Sequence, residues 1–344
     1  MKSTAVFTSC KRALYAALTA GLAVATLACG SAAPAAPQPT AAGQPAAPQP
    51  AAAGQPAGGG QFTFAVITHS DGTDNFWPVV KNGAEAAGKS LGIKVNYTFA
   101  GDPLKQSQLI DNAVSQKVDG IAVSLPNADA LKGSIEKAEQ AGIPVITINS
   151  GEKQFKAVGA LTHVGQDEIV AGRGAGERLK AAGLSNVLCL IHEAGNVALQ
   201  ERCQGVTETF GGKVQQLQVN LANLPDVTAT VKAKLQADTS IDGVLSLNPG
   251  VGTAALAATK ETGKVKLATF DLSKDIVKSI EAGDVLFAVD QQQYLQGYLP
   301  VMMLYLYKTN GNTVGGGQPV LTGPGFVTQD NAKQVEDLAA KGTR

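Results

Sequence analysis

Three Asn or Asp side chains directly follow apolar runs of the sequence, at the point where each run ends. They are Asn149, Asn248 and Asp271. Open sheets of parallel strands bind small ligands just beyond the carboxyl ends of their strands, so these side chains are candidates for one shared site. Asn and Asp at strand ends also cap the helices that follow, and this alternative is strongest for Asn248. Amide and carboxyl groups suit a ligand that both donates and accepts hydrogen bonds.

Two aromatic side chains lie beside a further carboxyl group at the start of a helical stretch. Asp74 is followed closely by Phe76 and Trp77, and Trp77 is the only tryptophan of the chain. Flat apolar faces and a nearby polar group together suit a small ring that carries hydroxyls. The alternative is that Phe76 and Trp77 pack into the core where the helix begins.

Arg202 lies near the start of another helical stretch. Its guanidinium could donate two parallel hydrogen bonds to adjacent oxygens of a ligand. The alternative is an ion pair with Glu201 or Glu208 on the surface of the helix.

The residues give little support to an enzyme. A glycosidase needs two opposed carboxyl groups with one held protonated, and Asp74 and Asp271 would have to supply them. Their neighbours are amides, which suit holding a ligand better than hydrolysing it. His69, His163 and His192 are scattered and are expected to be loop or strand-end residues. We therefore expect a binding protein without a cofactor or a metal.

The composition limits the choice of partners. The chain carries 28 basic and 28 acidic residues, with no basic stripe that would attract nucleic acid. Of its four cysteines, Cys10 and Cys29 belong to the N-terminal segment considered below, which leaves Cys189 and Cys203. These two could pair in an oxidising compartment, or they could remain two buried free thiols.

The elements that would position these residues alternate regularly from Gln61 to Phe287. Short apolar runs rich in β-formers are each followed by a stretch with helical spacing. Strands that are apolar on both faces and separated by helices predict an α/β fold with doubly wound parallel sheets. The expected strands are Phe62–Thr68, Ile93–Phe99, Gly120–Ser124, Val145–Ile148, Val187–Ile191, Val214–Val219, Gly243–Leu247, Lys266–Phe270 and Leu286–Val289.

An internal repeat indicates two similar lobes rather than one large sheet. One copy covers 119–149 and the other 242–271, and each begins with Asp-Gly before an apolar run. Each copy ends with a polar side chain at the tip of its second strand, Asn149 in one and Asp271 in the other. Two facing lobes would direct both groups into one cleft.

The N-terminal residues are typical of an export signal. Lys2, Lys11 and Arg12 precede a short uncharged run that ends at Cys29, so 1–28 is expected to be a signal peptide and Cys29 a lipidation site. The alternative is a plain secretory signal with an incidental cysteine. Residues 29–60 are almost wholly Ala, Pro, Gln and Gly, which is typical of an extended spacer.

Several short motifs, in order from Gln61 to Arg344, resemble the type I periplasmic sugar-binding proteins of ABC transporters, the ribose-binding-protein-like family. These motifs are Asp74-Asn75-Phe76-Trp77, Gly142-Ile143-Pro144-Val145, His163-Val164-Gly165-Gln166-Asp167, Gln200-Glu201-Arg202, Thr269-Phe270-Asp271, Asp290-Gln291-Gln292 and Gln296-Gly297-Tyr298.

The resemblance implies two lobes joined by a hinge of three strands. The N-terminal lobe would be 61–163 plus 292–321, and the C-terminal lobe 164–291 plus 322–344. Ligand contacts would come from Asp74, Phe76, Trp77, Asn149, Gln200, Arg202, Asn248, Asp271 and Gln291. Gln200 stands where ribose binders carry an arginine, which implies a ligand other than ribose.

The resemblance also implies a role and a location. A monomeric, lipid-tethered protein outside the cytoplasm would capture a monosaccharide or polyol and deliver it to an ABC transporter permease. A sugar sensor of the chemoreceptor type is the alternative, and an exported carbohydrate-active enzyme is a more distant one.

Overall fold

The computed structural model describes residues 62–344. The expected signal peptide, Cys29 and the spacer lie outside this range. No helix among the described residues is long and apolar enough to cross a membrane.

The N-terminal lobe, 62–166 with 293–323, is built on a six-stranded sheet in the order β11-β5-β4-β3-β1-β2. Its strands are β1 Thr63–Thr68, β2 Lys94–Phe99, β3 Gly120–Ser124, β4 Val145–Asn149, β5 His163–Gln166 and β11 Val320–Gly323. Its helices are α1 Trp77–Leu91, α2 Pro103–Ser115, α3 Ala128–Gln140 and α9 Gln293–Asn310. All neighbouring strands of this sheet run parallel.

The C-terminal lobe, 167–290 with 325–344, has a six-stranded sheet in the order β12-β10-β9-β8-β6-β7. Its strands are β6 Asn186–Ile191, β7 Lys213–Gln218, β8 Gly243–Ser246, β9 Lys266–Phe270, β10 Val285–Asp290 and β12 Gly325–Val327. Its helices are α4 Glu168–Ala181, α5 Val197–Phe210, α6 Leu224–Ala237, α7 Pro249–Thr262, α8 Lys274–Glu281 and α10 Ala332–Ala340.

Alternation along β1 shows how each sheet is covered on both faces. Phe64 and Val66 pack into the cluster beneath α1 and α9, whereas Ala65 and Ile67 pack into the cluster beneath α2 and α3. Successive side chains of a strand point to opposite faces, so a wholly apolar strand requires helices on both sides. The doubly wound, two-lobed α/β fold expected from the sequence is therefore confirmed.

Three short strands near the hinge differ from the expectation. Strand β5 pairs with β4 in the N-terminal sheet, so the chain first leaves this lobe after Gln166. Strands β11 and β12 flank Pro324, and β12 pairs antiparallel with β10. These strands are only 3 or 4 residues long, too short to give a recognisable apolar run in the sequence. The other two crossings lie at 291–292 and around Pro324, close to where the family pattern implies them.

Glycines allow close helix contacts in both lobes. In the N-terminal lobe a Cβ at Gly297 of α9 would collide with the backbone carbonyl of Val80 on α1. In the C-terminal lobe a Cβ at Gly172 of α4 would collide with the backbone carbonyl of Arg202 on α5. The backbones of these helix pairs therefore approach at a distance that no larger residue permits.

A disulfide joins β6 to α5 inside the C-terminal lobe. Cys189 and Cys203 are both fully buried, and their sulfurs are 2.08 Å apart. Of the two alternatives for these cysteines, the structure has the pairing. The bond ties the helix that carries Arg202 directly to a central strand.

We expect Gly297→Ala to lower the thermal midpoint of unfolding, because the methyl group would force α1 and α9 apart. Overpacking of this kind costs about 1–3 kcal/mol. Thermal unfolding followed by circular dichroism would measure it. The matched control is Gly133→Ala on α3, where the added methyl group meets no atom. That exposed helix position should gain up to about 1 kcal/mol, and equal effects of the two variants would contradict the packing argument.

Candidate functional site

A cleft lies between the lobes, at the carboxyl ends of the strands of both sheets. Its space, counted with the opening to solvent, is about 330 Å³. Eight of the nine ligand-contacting residues proposed from the sequence line it, namely Asp74, Phe76, Trp77, Asn149, Arg202, Asn248, Asp271 and Gln291.

Asp74 caps the start of α1 and also faces the cleft. Its Oδ1 accepts hydrogen bonds from the backbone N–H groups of Phe76 at 2.8 Å and Trp77 at 3.1 Å. Burial raises the pKa of Asp74 to about 6, against the lowering effect of these two donors. Its other oxygen has no hydrogen bond among the described residues and is available to a ligand.

The aromatic residues form one wall of the cleft. The Trp77 ring packs edge-to-face on Phe76 with centroids 4.8 Å apart, and on His69 with centroids 4.7 Å apart. Trp77 is only 4% exposed and also belongs to the core cluster beneath α1. Trp77 therefore packs in the core and also lines the cleft, and its contact with a ligand stays a prediction.

Asn149 ends β4 with a left-handed backbone, φ 62°. Its Nδ2 donates to Oε1 of Gln291 and to Oε1 of Gln296, each at 3.2 Å, and its Oδ1 accepts from Ser150 Oγ at 2.9 Å. Asp271 occupies the equivalent place after β9, with φ 67°. Its Oδ1 accepts from Nε2 of Gln291 at 2.7 Å. Gln291 thus links the strand tips of the two lobes.

Arg202 on α5 is buried and held by a partner that the sequence analysis did not consider. Its Nε and Nη2 donate to the two carboxylate oxygens of Glu168 at 2.7 and 2.9 Å. Its Nη1 donates to the carbonyl of Leu247 at 3.2 Å and lies 4.0 Å from Oδ2 of Asp271. Burial raises the pKa of Asp271 to about 7, although Arg202 and Gln291 act to lower it.

The ion pairs that were the alternative for Arg202 are not formed. Glu201 pairs with Lys153 at 2.8 Å, and Glu208 pairs with Arg173 at 2.6 Å. Asn248 does cap α7, since its Oδ1 accepts from the N–H groups of Gly250 and Val251 at 2.8 and 3.2 Å. Its Nδ2 has no hydrogen bond among the described residues and can serve a ligand.

Gln200 is not brought to the cleft, and we correct its assignment as a contact residue. It is exposed, whereas Arg202 on the same helix is buried. Residues of an α-helix turn about 100° per position, so side chains two apart point to nearly opposite sides.

Eight further residues line the cleft, and five of them are polar or ionisable side chains that the sequence did not assign to the site. These five are His69, Ser150, His192, Glu193 and Asn196. His69 and Ser150 follow β1 and β4, and the other three follow β6, so the rule about strand ends would have found them. Among the described residues no cluster of three or more His, Cys, Asp or Glu side chains is arranged to hold a metal ion.

Direct contacts across the mouth of the cleft hold the lobes together. His69 Nε2 lies 3.5 Å from Glu193 Oε2 and 3.3 Å from Asn196 Nδ2. Ser150 Oγ donates to Asn196 Oδ1 at 3.3 Å. The structure therefore represents a closed arrangement of the lobes.

Titration of Asp271 should make folding stability depend on pH. Its pKa lies at about 7 in the folded protein against an ordinary 3.8, so the folded state binds this proton more tightly. The contribution of this proton to the free energy of unfolding is fully present at a pH below the ordinary pKa of 3.8, and it is lost as the pH rises through the folded pKa of about 7. The measurement compares the thermal midpoints of the wild type and of Asp271→Asn. We expect the wild-type midpoint, relative to that of the variant, to fall by at least about 2 °C between about pH 5 and about pH 8. Other titrating groups are present in both proteins and cancel, and a difference that does not change with pH would contradict the raised pKa.

Solved structures of other proteins share the two-lobed fold described above. A carbohydrate transporter from Acidothermus cellulolyticus 11B, solved in complex with myo-inositol, is 44% identical with a TM-score of 0.81, covering 83% of this chain and 100% of that one. A solute-binding protein from Burkholderia graminis, solved with D-arabinose, is 24% identical with a TM-score of 0.71, covering 78% of this chain and 96% of that one. At this identity the second likeness supports the fold alone.

Proteins related in sequence are also named as sugar-binding proteins. The chain is 26% identical over 259 residues to the xylose/arabinose-binding protein of Sulfolobus acidocaldarius, covering 69% of this chain and 64% of that protein. It is 28% identical over 236 residues to the ribose import binding protein of Bacillus subtilis, covering 65% of this chain and 74% of that protein. The family model described as the periplasmic binding protein domain matches residues 64–312. Since that match covers more than half of the sequence, this chain belongs to the periplasmic binding protein family.

Proposed function

We propose that this protein captures a monosaccharide or a cyclic polyol between its lobes and delivers it to the permease of an ABC transporter. The observation that carries the proposal is a closed cleft with an aromatic wall and a rim of amide and carboxyl groups. The 44% identity to a carbohydrate transporter solved with myo-inositol supports the same ligand class.

The chemistry of the rim matches hydroxyl groups. Asp74 and Asp271 each offer one carboxyl oxygen as an acceptor, and Asn248 offers an N–H₂ group as a donor. A hydroxyl both donates and accepts, so each ring hydroxyl can be satisfied by groups of both kinds. Trp77 and Phe76 offer apolar surface to the C–H groups of the ring. A ligand without one of the matched hydroxyls would leave a buried group unpaired and bind less well.

Closure follows from where the site groups are attached. Asp74 and Asn149 belong to the N-terminal lobe, whereas Arg202, Asn248 and Asp271 belong to the C-terminal lobe. A ligand that touches both sets favours the closed arrangement over an open one, and the three crossings near 166, 291 and 324 would act as the hinge.

The proposal includes a place of action. The family consists of extracytoplasmic solute-binding proteins, and a buried disulfide fits an oxidising compartment. We propose that Cys29 carries a lipid and that 29–60 spaces a monomeric binding domain from the membrane surface. A permease embedded in that membrane would be the partner that receives the ligand.

Ligand binding should be measurable with the purified domain. We expect at least one of myo-inositol, D-xylose, D-arabinose, D-ribose and D-allose to raise the thermal midpoint, since a ligand that binds only the folded state stabilises it. The fluorescence of Trp77, the only tryptophan, should change with the same midpoint in ligand concentration. Absence of any shift with sugars and polyols at millimolar concentration would overturn the sugar assignment.

A substitution in the aromatic wall should weaken binding without unfolding the protein. Trp77→Leu keeps an apolar side chain but removes the flat face, and we expect the dissociation constant to rise at least about tenfold, or about 1.4 kcal/mol. Isothermal titration calorimetry would measure this, with circular dichroism to confirm folding. Gln200→Ala on the exposed side of α5 is the matched control and should bind as the wild type does. Equal affinity of Trp77→Leu and wild type would place the ligand elsewhere.

A further inference from the structure

The ionisable side chains that line the cleft are three carboxyl groups, those of Asp74, Glu193 and Asp271, and the imidazoles of His69 and His192. Arg202 is the only Lys or Arg that lines it in the part of the chain that the structure describes. A hydroxyl-rich ligand with a carboxylate or phosphate would need this guanidinium to balance its charge.

The charge of the Arg202 guanidinium is already balanced by a carboxylate on the side away from the cleft. Glu168 takes both Nε and Nη2 in a two-point contact, and the carboxylate and the guanidinium side chains are 2% and 4% exposed. Glu168 does not line the cleft, and its Oε2 also accepts from Nε2 of Gln166 at 2.8 Å. The remaining nitrogen, Nη1, donates to the carbonyl of Leu247 and is close to Asp271. Arg202 therefore offers hydrogen-bond donors to a ligand but no unbalanced positive charge.

The fold fixes this pairing firmly. Glu168 is the first residue of α4, where the helix dipole favours a negative charge. Gly172 on α4 and Gly205 on α5 allow the two helices to touch, since a Cβ on either would collide with the backbone of the other helix. The disulfide holds α5 on β6 one residue beyond Arg202.

We propose that Glu168 determines the charge specificity of the cleft. Acting through Arg202 as a positioning residue, it makes the site select uncharged polyols and reject their acids and phosphate esters. The inference rests on the proposed function and goes beyond it, because it assigns selectivity to a residue that the ligand does not touch. Without Glu168, a ligand anion would find an unpaired guanidinium in a site of low dielectric, where opposite charges attract strongly.

The test compares matched ligand pairs in Glu168→Gln, which keeps the shape of the side chain and removes its charge. The pairs are D-glucose with D-glucuronate, D-arabinose with D-arabinonate, and myo-inositol with myo-inositol 1-phosphate. We expect the wild type to prefer the neutral member, and the variant to lower that preference at least about tenfold. Isothermal titration calorimetry at low salt would give both dissociation constants.

Two controls separate charge from structural damage. Glu168→Asp keeps the negative charge and should still reject the acids. The double variant Glu168→Gln with Arg202→Gln has no guanidinium to attract an anion and should also reject them. If Glu168→Gln is only marginally stable, thermal shift still reports binding, because an acid that binds the folded state raises its midpoint.

The outcomes distinguish this inference from the function on which it rests. If the wild type binds a neutral member and the Glu168→Gln preference stays unchanged, the role of Glu168 is wrong and the proposed function stands. If the double variant binds the acids with the same affinity as the single variant, the effect does not act through Arg202 and the inference is overturned. If the wild type binds no neutral ligand at all, both proposals fall.

Discussion

The architecture of the cleft depends on one buried guanidinium. Removing a charged group from water is costly unless an opposite charge and good hydrogen bonds replace the lost solvent. Glu168 meets that requirement for Arg202 with two short hydrogen bonds. The pairing in turn requires α4 and α5 to be in backbone contact, and Gly172 with Gly205 makes that contact possible. A helix-packing feature thus sets the electrostatic character of a binding surface.

A continuous chain of hydrogen bonds connects the two lobes along the wall of the cleft. It runs from Asn149 through Gln291 to Asp271, with the guanidinium of Arg202 nearby. Gln291 lies in a hinge crossing; its Oε1 accepts from Asn149 and Gln296, and its Nε2 donates to Asp271. The residue that joins the strand tips is therefore also the residue about which the lobes would rotate, which couples the state of the cleft to the state of the hinge.

The sequence predicted the features that depend on local pattern and missed those that depend on tertiary contact. Apolar runs gave nine strands, and the rule about strand ends brought Asn149 and Asp271 to one cleft. Strand β5, His163–Gln166, has no apolar run because pairing in the sheet, and not burial of a long strand, defines it. Gln200 was assigned to the cleft because a motif gives position along a helix but not the direction in which a side chain points. Glu168 was not found at all, since its partner lies on another helix.

The left-handed backbone at Asn149 and Asp271 restricts how this family member can change over evolutionary time. Few residue types other than Gly, Asn and Asp tolerate positive φ without strain, and Gly would remove the side chain that each tip presents to the cleft. The two strand tips therefore tolerate fewer residue types than positions of ordinary backbone do. We therefore expect new ligand preferences to arise from substitutions in the walls of the cleft, where the backbone is ordinary and many residue types are tolerated. The residue types at the two tips would then stay the same in homologues that bind different ligands.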